Sequence, residues 1–273
     1  MGIAYNGKRG NPPDAPFFFL DLGSGEPPEA LIFAAGLCSE REDGADLEAW
    51  RYAISLARDF FRVKGAAIRV SDYRRMLQGI CLHVHRHLAS EGKGAGVDLL
   101  LVAADTSRLY GVRSGGGALF LFRQGEAMEV LAPGAGAGAL LGMPGGEDVE
   151  TGEAPLQPGD MVVLCGTSAS AVMGTRDITL ILRRASDPAK AALFLSAIAD
   201  RKGAESPYAA LVWEVPNLRG AAMLTGEEPE EPRVMEEEPP SVEGGEAPED
   251  AGEVSHADQA KRQWLSKWRR RKE

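Results

Sequence analysis

Residues 99–131 read LLLVAADTSRLYGVRSGGGALFLFRQGEAMEVL and contain four short apolar runs separated by polar or glycine-rich breaks. The runs are Leu99–Ala104, Leu109–Val112, Ala118–Phe122 and Ala127–Leu131. Runs of this length that are bounded by turn residues are typical of β-strands. Gln124-Gly125 is a two-residue turn between the last two runs, so we predict hairpin-linked, antiparallel strands in this stretch.

Patterns on either side of this stretch predict the remaining elements. Apolar residues recur at helical spacing in Asp46–Val63 and Ser71–Leu88, and Pro188–Lys202 reads as a helix that ends at Gly203. Further strands are predicted at Phe17–Leu22, Ala30–Ala35, Met161–Cys165 and Ala209–Val215. The short run Ile178–Arg184 is not predicted as a helix. Clustered helices and hairpin-linked strands favour an α+β fold with mostly antiparallel sheets and the helices outside.

The formal net charge of −10 over 273 residues is unevenly distributed. Residues 226–253 hold twelve acidic residues and one basic residue, Arg233, whereas residues 258–273 hold seven basic and two acidic residues. The rest of the chain is therefore nearly neutral, and an acidic chain of this kind is a poor general binder of nucleic acids. The acidic segment has few large apolar residues with which to offset the entropy of folding, so we predict disorder there.

These patterns divide the chain into three predicted parts. They are a folded domain at residues 1–218, a disordered acidic Pro/Glu/Gly-rich linker at 219–257, and a basic amphipathic helix at 258–273. We expect neither a membrane span nor a secretory signal, because no long apolar run occurs. The cysteines Cys38, Cys81 and Cys165 are too few and too widely spaced for a disulfide framework or a zinc cluster. We therefore expect a cytoplasmic location and an inert, buried thiol at Cys165.

Six segments carry motifs whose order and spacing point to one family. They are Lys8–Ala15, Leu31–Gly36, Gly94–Asp98, Leu109–Glu126, Pro155–Cys165 and Gly203–Val215. In turn they resemble the approach to Asn-Glu-Asp, the strand ending in Ala-Asp-Gly, Gly-Met-Gly-Thr-Thr, the strands around Val-Gly-Asp-Ser-Arg, the approach to Ser-Asp-Gly-Leu, and Gly-Ser-x-Asp-Asn-Ile-Thr. Together they resemble the metal-dependent type-2C (PPM) Ser/Thr protein phosphatases in their bacterial form. The resemblance covers residues 4–216 and implies an α-β-β-α sandwich.

At the family's metal-binding positions this chain departs from the pattern. The resemblance implies two divalent cations held by aspartates, with a bridging water as the nucleophile that attacks phosphorus. The four aspartate positions are occupied here by Ala35, Gly116, Thr167 and Ser206. The family-like residues that remain are Arg9, whose family role is to bind the substrate phosphate, Asp14, and Gly36 with its carbonyl. One carboxylate, one carbonyl and two hydroxyl groups cannot hold two dications.

The main functional prediction is therefore a catalytically inactive pseudophosphatase that acts as a regulatory or protein-binding module in phospho-signalling, with no catalytic residue and no cofactor. Two alternatives stay open. In the first, the chain is a residual Ser/Thr protein phosphatase that uses manganese or magnesium at an atypical site supported by Arg9 and Asp14. In the second, the folded domain is a scaffold that the basic C-terminal helix tethers to a membrane surface.

The C-terminal segment has the composition of a docking helix. Trp264 and Trp268 lie one helical turn apart, and Leu265 lies beside them. The cationic neighbours include Arg269, Arg270 and Arg271. This pattern is typical of a helix that binds an anionic membrane surface or an acidic protein groove. We predict a protein partner, such as a kinase or a phosphoprotein, and no specific nucleic acid.

Three histidines in the second predicted helix invite a metal interpretation. Only His83 and His87, four residues apart, share a helix face, and no carboxylate partner or third ligand is evident nearby. The glycine runs at 114–117 and 134–138 lack the Lys-Ser/Thr pair of a phosphate-binding loop. We therefore expect exposed or packed histidines, and no phosphate loop at either glycine run.

Overall fold

The computed structural model describes residues 1–5, 8–9, 17–21, 31–39, 46–64, 73–91, 96–134, 140–205 and 208–217. The strands are β1 (Gly2–Tyr5), β2 (Lys8–Arg9), β3 (Phe17–Asp21), β4 (Phe33–Ser39), β5 (Asp98–Ala104), β6 (Arg108–Ser114), β7 (Ala118–Arg123), β8 (Glu126–Leu131), β9 (Glu150–Pro155), β10 (Met161–Cys165) and β11 (Ala209–Glu214). The helices are α1 (Asp46–Lys64), α2 (Tyr73–Glu91), α3 (Thr167–Val172), α4 (Thr175–Arg184) and α5 (Pro188–Arg201). The predicted acidic linker and basic terminal helix lie outside the described residues.

The strands form two sheets, and every strand pairing described is antiparallel. The first sheet has the order β2-β1-β11-β10-β7-β8, and the second has the order β3-β4-β5-β6-β9. The β7–β8 turn is the one predicted at Gln124-Gly125, where both residues have positive φ angles of 51° and 84°. That conformation is the type I′ turn, whose twist matches two antiparallel strands.

The side chains of β5 explain why its sequence is apolar without interruption. Successive residues of a strand point to opposite faces of the sheet. Leu99, Leu101 and Ala103 pack beneath α1 and α2, while Leu100, Val102 and Ala104 face the other sheet. Both faces of β5 are therefore covered, and every residue from Asp98 to Ala104 is buried.

The two sheets enclose one core and carry a helical layer on each outer side. Between the sheets, the rings of Phe33 and Trp213 stack with centroids 4.2 Å apart. The helices α1 and α2 cover the second sheet, and α3, α4 and α5 cover the first. The architecture is thus the predicted α+β sandwich with mostly antiparallel sheets and the layer order α-β-β-α.

Several elements differ from the sequence prediction. The run Ile178–Arg184 is helical, as the second half of α4, and it buries Ile178, Ile181 and Leu182 on one face. Its β-branched residues favour a strand locally, but the spacing of three and four residues lets one helix face pack on the first sheet. The strands β1, β2 and β9 and the short helix α3 were not predicted. Among the described residues, no helix combines the length and apolar composition needed to cross a bilayer.

Candidate functional site

The structure brings together two of the positions that the sequence comparison singled out. Gly116 lies in the glycine turn between β6 and β7, and Thr167 is the first residue of α3. The two residues pack so closely that a Cβ on Gly116 would lie 2.6 Å from the Cγ2 atom of Thr167. Real Cβ atoms do not approach another atom so closely, so Thr167 already fills the space that a side chain at position 116 needs.

A carboxylate that sequence reasoning did not single out, Asp98, lies between these two residues. Asp98 is the first residue of β5 and only 7% of it is exposed. Its Oδ2 atom accepts a hydrogen bond from the Gly116 N–H at 3.2 Å and another from the Thr167 hydroxyl. Asp98 begins β5 of the second sheet, and Thr167 stands two residues after the end of β10 in the first sheet. The Asp98 carboxylate therefore links the two sheets at one end of the sandwich.

Ser170 completes the attachment of the glycine turn. Its hydroxyl, buried in α3, lies 2.8 Å from the carbonyl oxygen of Gly116 and 2.9 Å from that of Thr167. The Gly134 N–H also donates to the Gly116 carbonyl at 3.3 Å. Both backbone polar groups of Gly116 are therefore hydrogen-bonded, as buried backbone groups require.

Arg113 holds the same turn from the other side. Its side chain is 3% exposed, and its Nη1 atom donates to the carbonyl of Gly117 at 2.7 Å and to that of Ala132. Its Nη2 atom is paired with Glu150 of β9. A buried arginine that bonds to backbone carbonyls and a carboxylate fixes the elements around it, because breaking any of these bonds strands a buried charge. We call Asp98, Arg113, Gly116, Thr167 and Ser170 the Asp98 cluster.

The third described position, Ala35, lies in the apolar core. It belongs to β4, is fully buried, and pairs with Val102 of β5 while packing in the layer between the sheets. Gly36 follows it in β4, opposite Leu101. An aspartate in place of Ala35 would bury a carboxylate among aliphatic side chains. This burial costs about 5 kcal/mol unless a cation compensates the negative charge.

The remaining predicted site residues are placed only in part. Arg9 forms β2 with Lys8, and its backbone pairs with Ala4 of β1. Asp14 and Ser206 lie outside the described residues, as does the whole of the predicted docking helix. The vestigial phosphate-binding role of Arg9 therefore stays a prediction.

The donor set at the described positions does not fit a pair of divalent cations. Ala35, Gly116 and Thr167 supply no carboxylate, and hard cations such as manganese and magnesium prefer several anionic oxygen ligands. Within the described part of the chain, no group of three or more His, Cys, Asp or Glu side chains is arranged to hold a metal ion.

A sequence signal for Asp98 did exist. Asp98 stands at the end of the Gly94–Asp98 motif, where the family signature has its second threonine, and it directly precedes an apolar strand. An ionisable residue that opens a strand buried on both faces needs hydrogen-bond partners. Which partners it meets is set by the pairing of β5 with distant elements, and Thr167 is 69 residues away in sequence.

The histidines of α2 are packed or exposed, as predicted. His85 Nδ1 accepts a hydrogen bond from the Gly142 N–H at 3.1 Å, so its neutral form carries the proton on Nε2. His87 stacks on Tyr52 with ring centroids 4.0 Å apart and lies 3.3 Å from a carboxylate oxygen of Glu91. His83 is exposed. None of these contacts forms a metal site within the described residues.

Cys165 ends β10 and is fully buried, and burial raises the pKa of its thiol to about 12. Cys81 on α2 is also buried, and burial raises its thiol pKa to about 12 as well. A thiol with so high a pKa holds almost no thiolate at neutral pH, so neither side chain is an effective nucleophile.

Bacterial Ser/Thr phosphatases are among the solved structures with the same fold. The serine/threonine phosphatase of S. agalactiae superposes with a TM-score of 0.61 at 15% sequence identity, covering 78% of this chain and 98% of that one. The phosphatase Stp1 of Staphylococcus aureus gives a TM-score of 0.61 at 10% identity, over 72% of this chain and 94% of that one. The catalytic domain of PstP, solved with two manganese ions, gives 0.56 at 15% identity, over 74% and 99%.

These comparisons confirm the resemblance at the level of the fold: the chain has the type-2C phosphatase fold seen in bacterial Ser/Thr phosphatases. Neither the comparison with protein-family models nor the comparison with curated proteins gives a match. The sequence identities with these three structures are 10–15%, and similarity at that level shows the fold alone. The chemistry of the site depends on its own residues.

Proposed function

We propose that this chain, which has the type-2C phosphatase fold, is a pseudophosphatase: a regulatory, protein-binding module that does not hydrolyse phosphate esters. One observation carries the proposal. The space at two aspartate positions of the fold is closed by the contact between Gly116 and Thr167, and both residues are bonded to Asp98.

The Asp98 cluster supports this proposal by its chemistry. In the PstP catalytic domain the same fold was solved with two manganese ions. Metal ions of this kind join the protein ligands around them and activate a water molecule. In this chain a carboxylate, a hydroxyl and a backbone N–H join the two sheets directly, and their hydrogen bonds provide cohesion without generating a nucleophile.

The proposal has consequences for cofactors, location and partners. We propose that the chain needs no metal cofactor and acts in the cytoplasm, where the thiols of its three buried cysteines stay reduced. Its partner is proposed to be a protein of phospho-signalling, such as a kinase or a phosphoprotein. The alternative is a residual phosphatase that uses manganese or magnesium at an atypical site supported by Arg9 and Asp14, and Asp98 is a further candidate ligand for it.

The decisive experiment measures hydrolysis by the full chain. p-Nitrophenyl phosphate and a phosphothreonine peptide are incubated with the protein in millimolar manganese, and the S. agalactiae phosphatase serves as the positive control. We expect rates equal to those of the Asp98→Ala variant and unchanged by EDTA. Hydrolysis that requires manganese and stops with EDTA contradicts the proposal and establishes the residual phosphatase, and its loss in Asp98→Ala would add Asp98 to the metal ligands.

The basic C-terminal segment supports a second, separate role. Trp264 and Trp268 among seven cationic residues of 258–273 have the composition of a helix that docks on an anionic membrane surface or an acidic groove. Flotation with vesicles containing phosphatidylserine tests it, with the full chain compared with a chain lacking 258–273. Membrane tethering predicts that only the full chain floats; equal behaviour of the two chains rejects it.

A further inference from the structure

The outer face of α2 carries a row of residues for which the described fold has no use. The helix buries one face under the core, through Tyr73, Met76, Leu77, Ile80, Cys81, Val84 and Leu88. The opposite face presents Arg75, Gly79, Leu82, His83 and Arg86, of which Leu82 is half-buried and the other four are exposed. We call these five residues the α2 stripe.

The stripe has the spacing of a helix-docking seam. Arg75, Gly79, Leu82 and Arg86 follow one another at intervals of four, three and four residues. At about 100° per residue these positions fall on one side of the helix, as the residues of a coiled-coil seam do. A rise of about 1.5 Å per residue separates the first and last of them by roughly 16 Å along the axis, which is the length of three helical turns.

The positive charges of the stripe are not balanced by any acidic residue that the structure describes. Neither Arg75 nor Arg86 forms an ion pair with any residue that the structure describes, and the same holds for Arg74 beside them. The first turn of α2 contains no acidic residue, although acidic side chains are preferred at the positive end of the helix dipole. The arginines therefore stand on this face without an electrostatic benefit from the described part of the domain.

Gly79 is the second unexplained feature of the stripe. It lies in the middle of α2, and a Cβ built on it meets nothing within 4 Å. A glycine inside a helix costs about 0.5–1 kcal/mol relative to alanine, and no close packing in the described structure requires it. An exposed glycine between long side chains leaves a notch in which another backbone can approach closely, as small residues do at helix–helix contacts.

We propose that the α2 stripe is a docking surface for an acidic α-helix of a partner protein. The guanidinium groups of Arg75 and Arg86 pair with two carboxylates that lie about three helical turns apart on the partner helix. The backbone of the partner helix lies over Gly79. Leu82 provides the apolar contact between the charged pairs. The proposal extends the protein-binding role proposed above and is independent of whether the chain hydrolyses phosphate esters.

Charge and shape both favour an acidic helix over the other polyanions. Arginine forms paired, forked hydrogen bonds with carboxylates, which a helix can present at the same intervals of three and four residues. A single narrow row of two arginines with a notch between them lacks the breadth of contact that a DNA backbone or a membrane offers to a basic patch.

The test uses a synthetic acidic helix as the probe. A peptide of about 20 residues, long enough to be helical, carries glutamates at the matching seam positions, and a second peptide replaces them with glutamine. Fluorescence anisotropy measures the affinity of the full chain for each peptide, for a DNA duplex and for phosphatidylserine vesicles. We expect saturable binding of the glutamate peptide that weakens as salt is added, and any binding of DNA or vesicles is expected not to depend on the α2 stripe.

Three variants locate the binding. Combined Arg75→Glu and Arg86→Glu is expected to weaken peptide binding at least about tenfold by replacing attraction with repulsion. Gly79→Leu is expected to weaken it by a similar factor while leaving the charge unchanged, because the side chain fills the notch. The matched control reverses two exposed arginines on the other helical layer, Arg176→Glu with Arg201→Glu, and is expected to change the affinity less than about twofold.

Each contrary result overturns the proposal. Absence of saturable peptide binding, equal losses in the stripe variant and the matched control, or stripe-dependent binding of DNA or vesicles in preference to the peptide would each do so. Circular dichroism melting of every variant verifies folding, and Arg75→Gln with Arg86→Gln replaces the reversal if that variant is unfolded. None of these substitutions touches the Asp98 cluster, so the hydrolysis assay and the binding assay fail independently.

Discussion

The Asp98 cluster and the α2 stripe each contain a glycine, and the surroundings of the two glycines are opposite. A Cβ on Gly116 would lie 2.6 Å from Thr167, whereas a Cβ on Gly79 would meet nothing within 4 Å. Gly116 has both of its backbone polar groups bonded to side chains or to Gly134. Gly79 lies in the interior of a regular helix, where no described contact requires a glycine.

The packing of the interior requires a glycine at position 116, whereas nothing in the described interior requires one at position 79. Gly116 is explained by packing: neighbouring side chains occupy its side-chain volume, so no larger residue fits. Gly79 runs against the local helix preference, and Arg75 and Arg86 have no ion pair among the described residues; violations of local rules without a compensating contact are expected where a surface serves a function. Substitutions at the two places should therefore behave differently, and their sizes can be ranked.

The largest effect is expected for Gly116→Asp, which restores the family's aspartate. The new side chain overpacks against Thr167 and places a second carboxylate beside Asp98, so the free energy of unfolding should fall by about 3 kcal/mol. Urea unfolding followed by circular dichroism measures it. Gly79→Asp is the matched control: the same change in open space beside two arginines should cost less than about 0.5 kcal/mol. Similar losses for both variants would contradict the contrast.

A smaller loss is expected when the link between the sheets is cut. Asp98→Ala leaves the Gly116 N–H and the Thr167 hydroxyl buried without their acceptor, which should cost about 2 kcal/mol. Asp98→Asn keeps an acceptor oxygen and should recover part of this loss. In a double-mutant cycle with Thr167→Val, a coupling energy of about 1 kcal/mol is expected. Additive losses would show that the two side chains do not stabilise the fold together.

The fold was predictable because its elements follow simple periods. In β5, neighbouring residues such as Leu99 and Leu100 face different layers. Because the residues on both faces are apolar, the sequence indicates a strand that is covered on both sides. The β7–β8 hairpin was fixed by Gln124-Gly125. The sequence assigned no element to Ile178–Arg184, because β-branched residues favour a strand locally whereas packing of one face on the first sheet selects a helix.

The candidate site was predictable in its residues and not in its contacts. The losses at Ala35, Gly116 and Thr167 can be read from motif positions along the chain. The role of Asp98 could not, because its bonds to Gly116 and Thr167 join residues 18 and 69 positions apart. Such contacts depend on which strand ends meet when the two sheets pack, and no local pattern encodes that arrangement.

A gain in stability is expected at the stripe. Gly79→Ala should raise the free energy of unfolding by about 0.5–1 kcal/mol, because alanine restricts the unfolded chain and its Cβ meets no atom in the folded helix. Thermal and urea unfolding of the full chain measure the change. A loss of stability would mean that the glycine is needed by the fold itself, and it would remove the reason for assigning Gly79 to a partner.

The smallest effect is expected on the opposite helical layer, where Lys202 is paired with Asp177. Burial raises the pKa of Asp177, but hydrogen bonds from Lys202 at 2.7 Å and from the Gly174 N–H at 3.1 Å outweigh it, and the pKa lies below the ordinary value of 3.8. A carboxyl group with a lowered pKa stabilises the fold above its ordinary pKa, and this stability is lost as the pH falls through the lowered value. Asp177→Asn should therefore cost about 0.5 kcal/mol at neutral pH, discounted for partial exposure, and almost nothing in strong acid.

Arg86→Gln on the α2 stripe is the matched change: with no described ion pair to lose, it should leave the pH dependence of unfolding unaltered. A pH-dependent loss in Arg86→Gln would reveal a carboxylate partner within the chain, and the stripe would then be occupied by the protein itself.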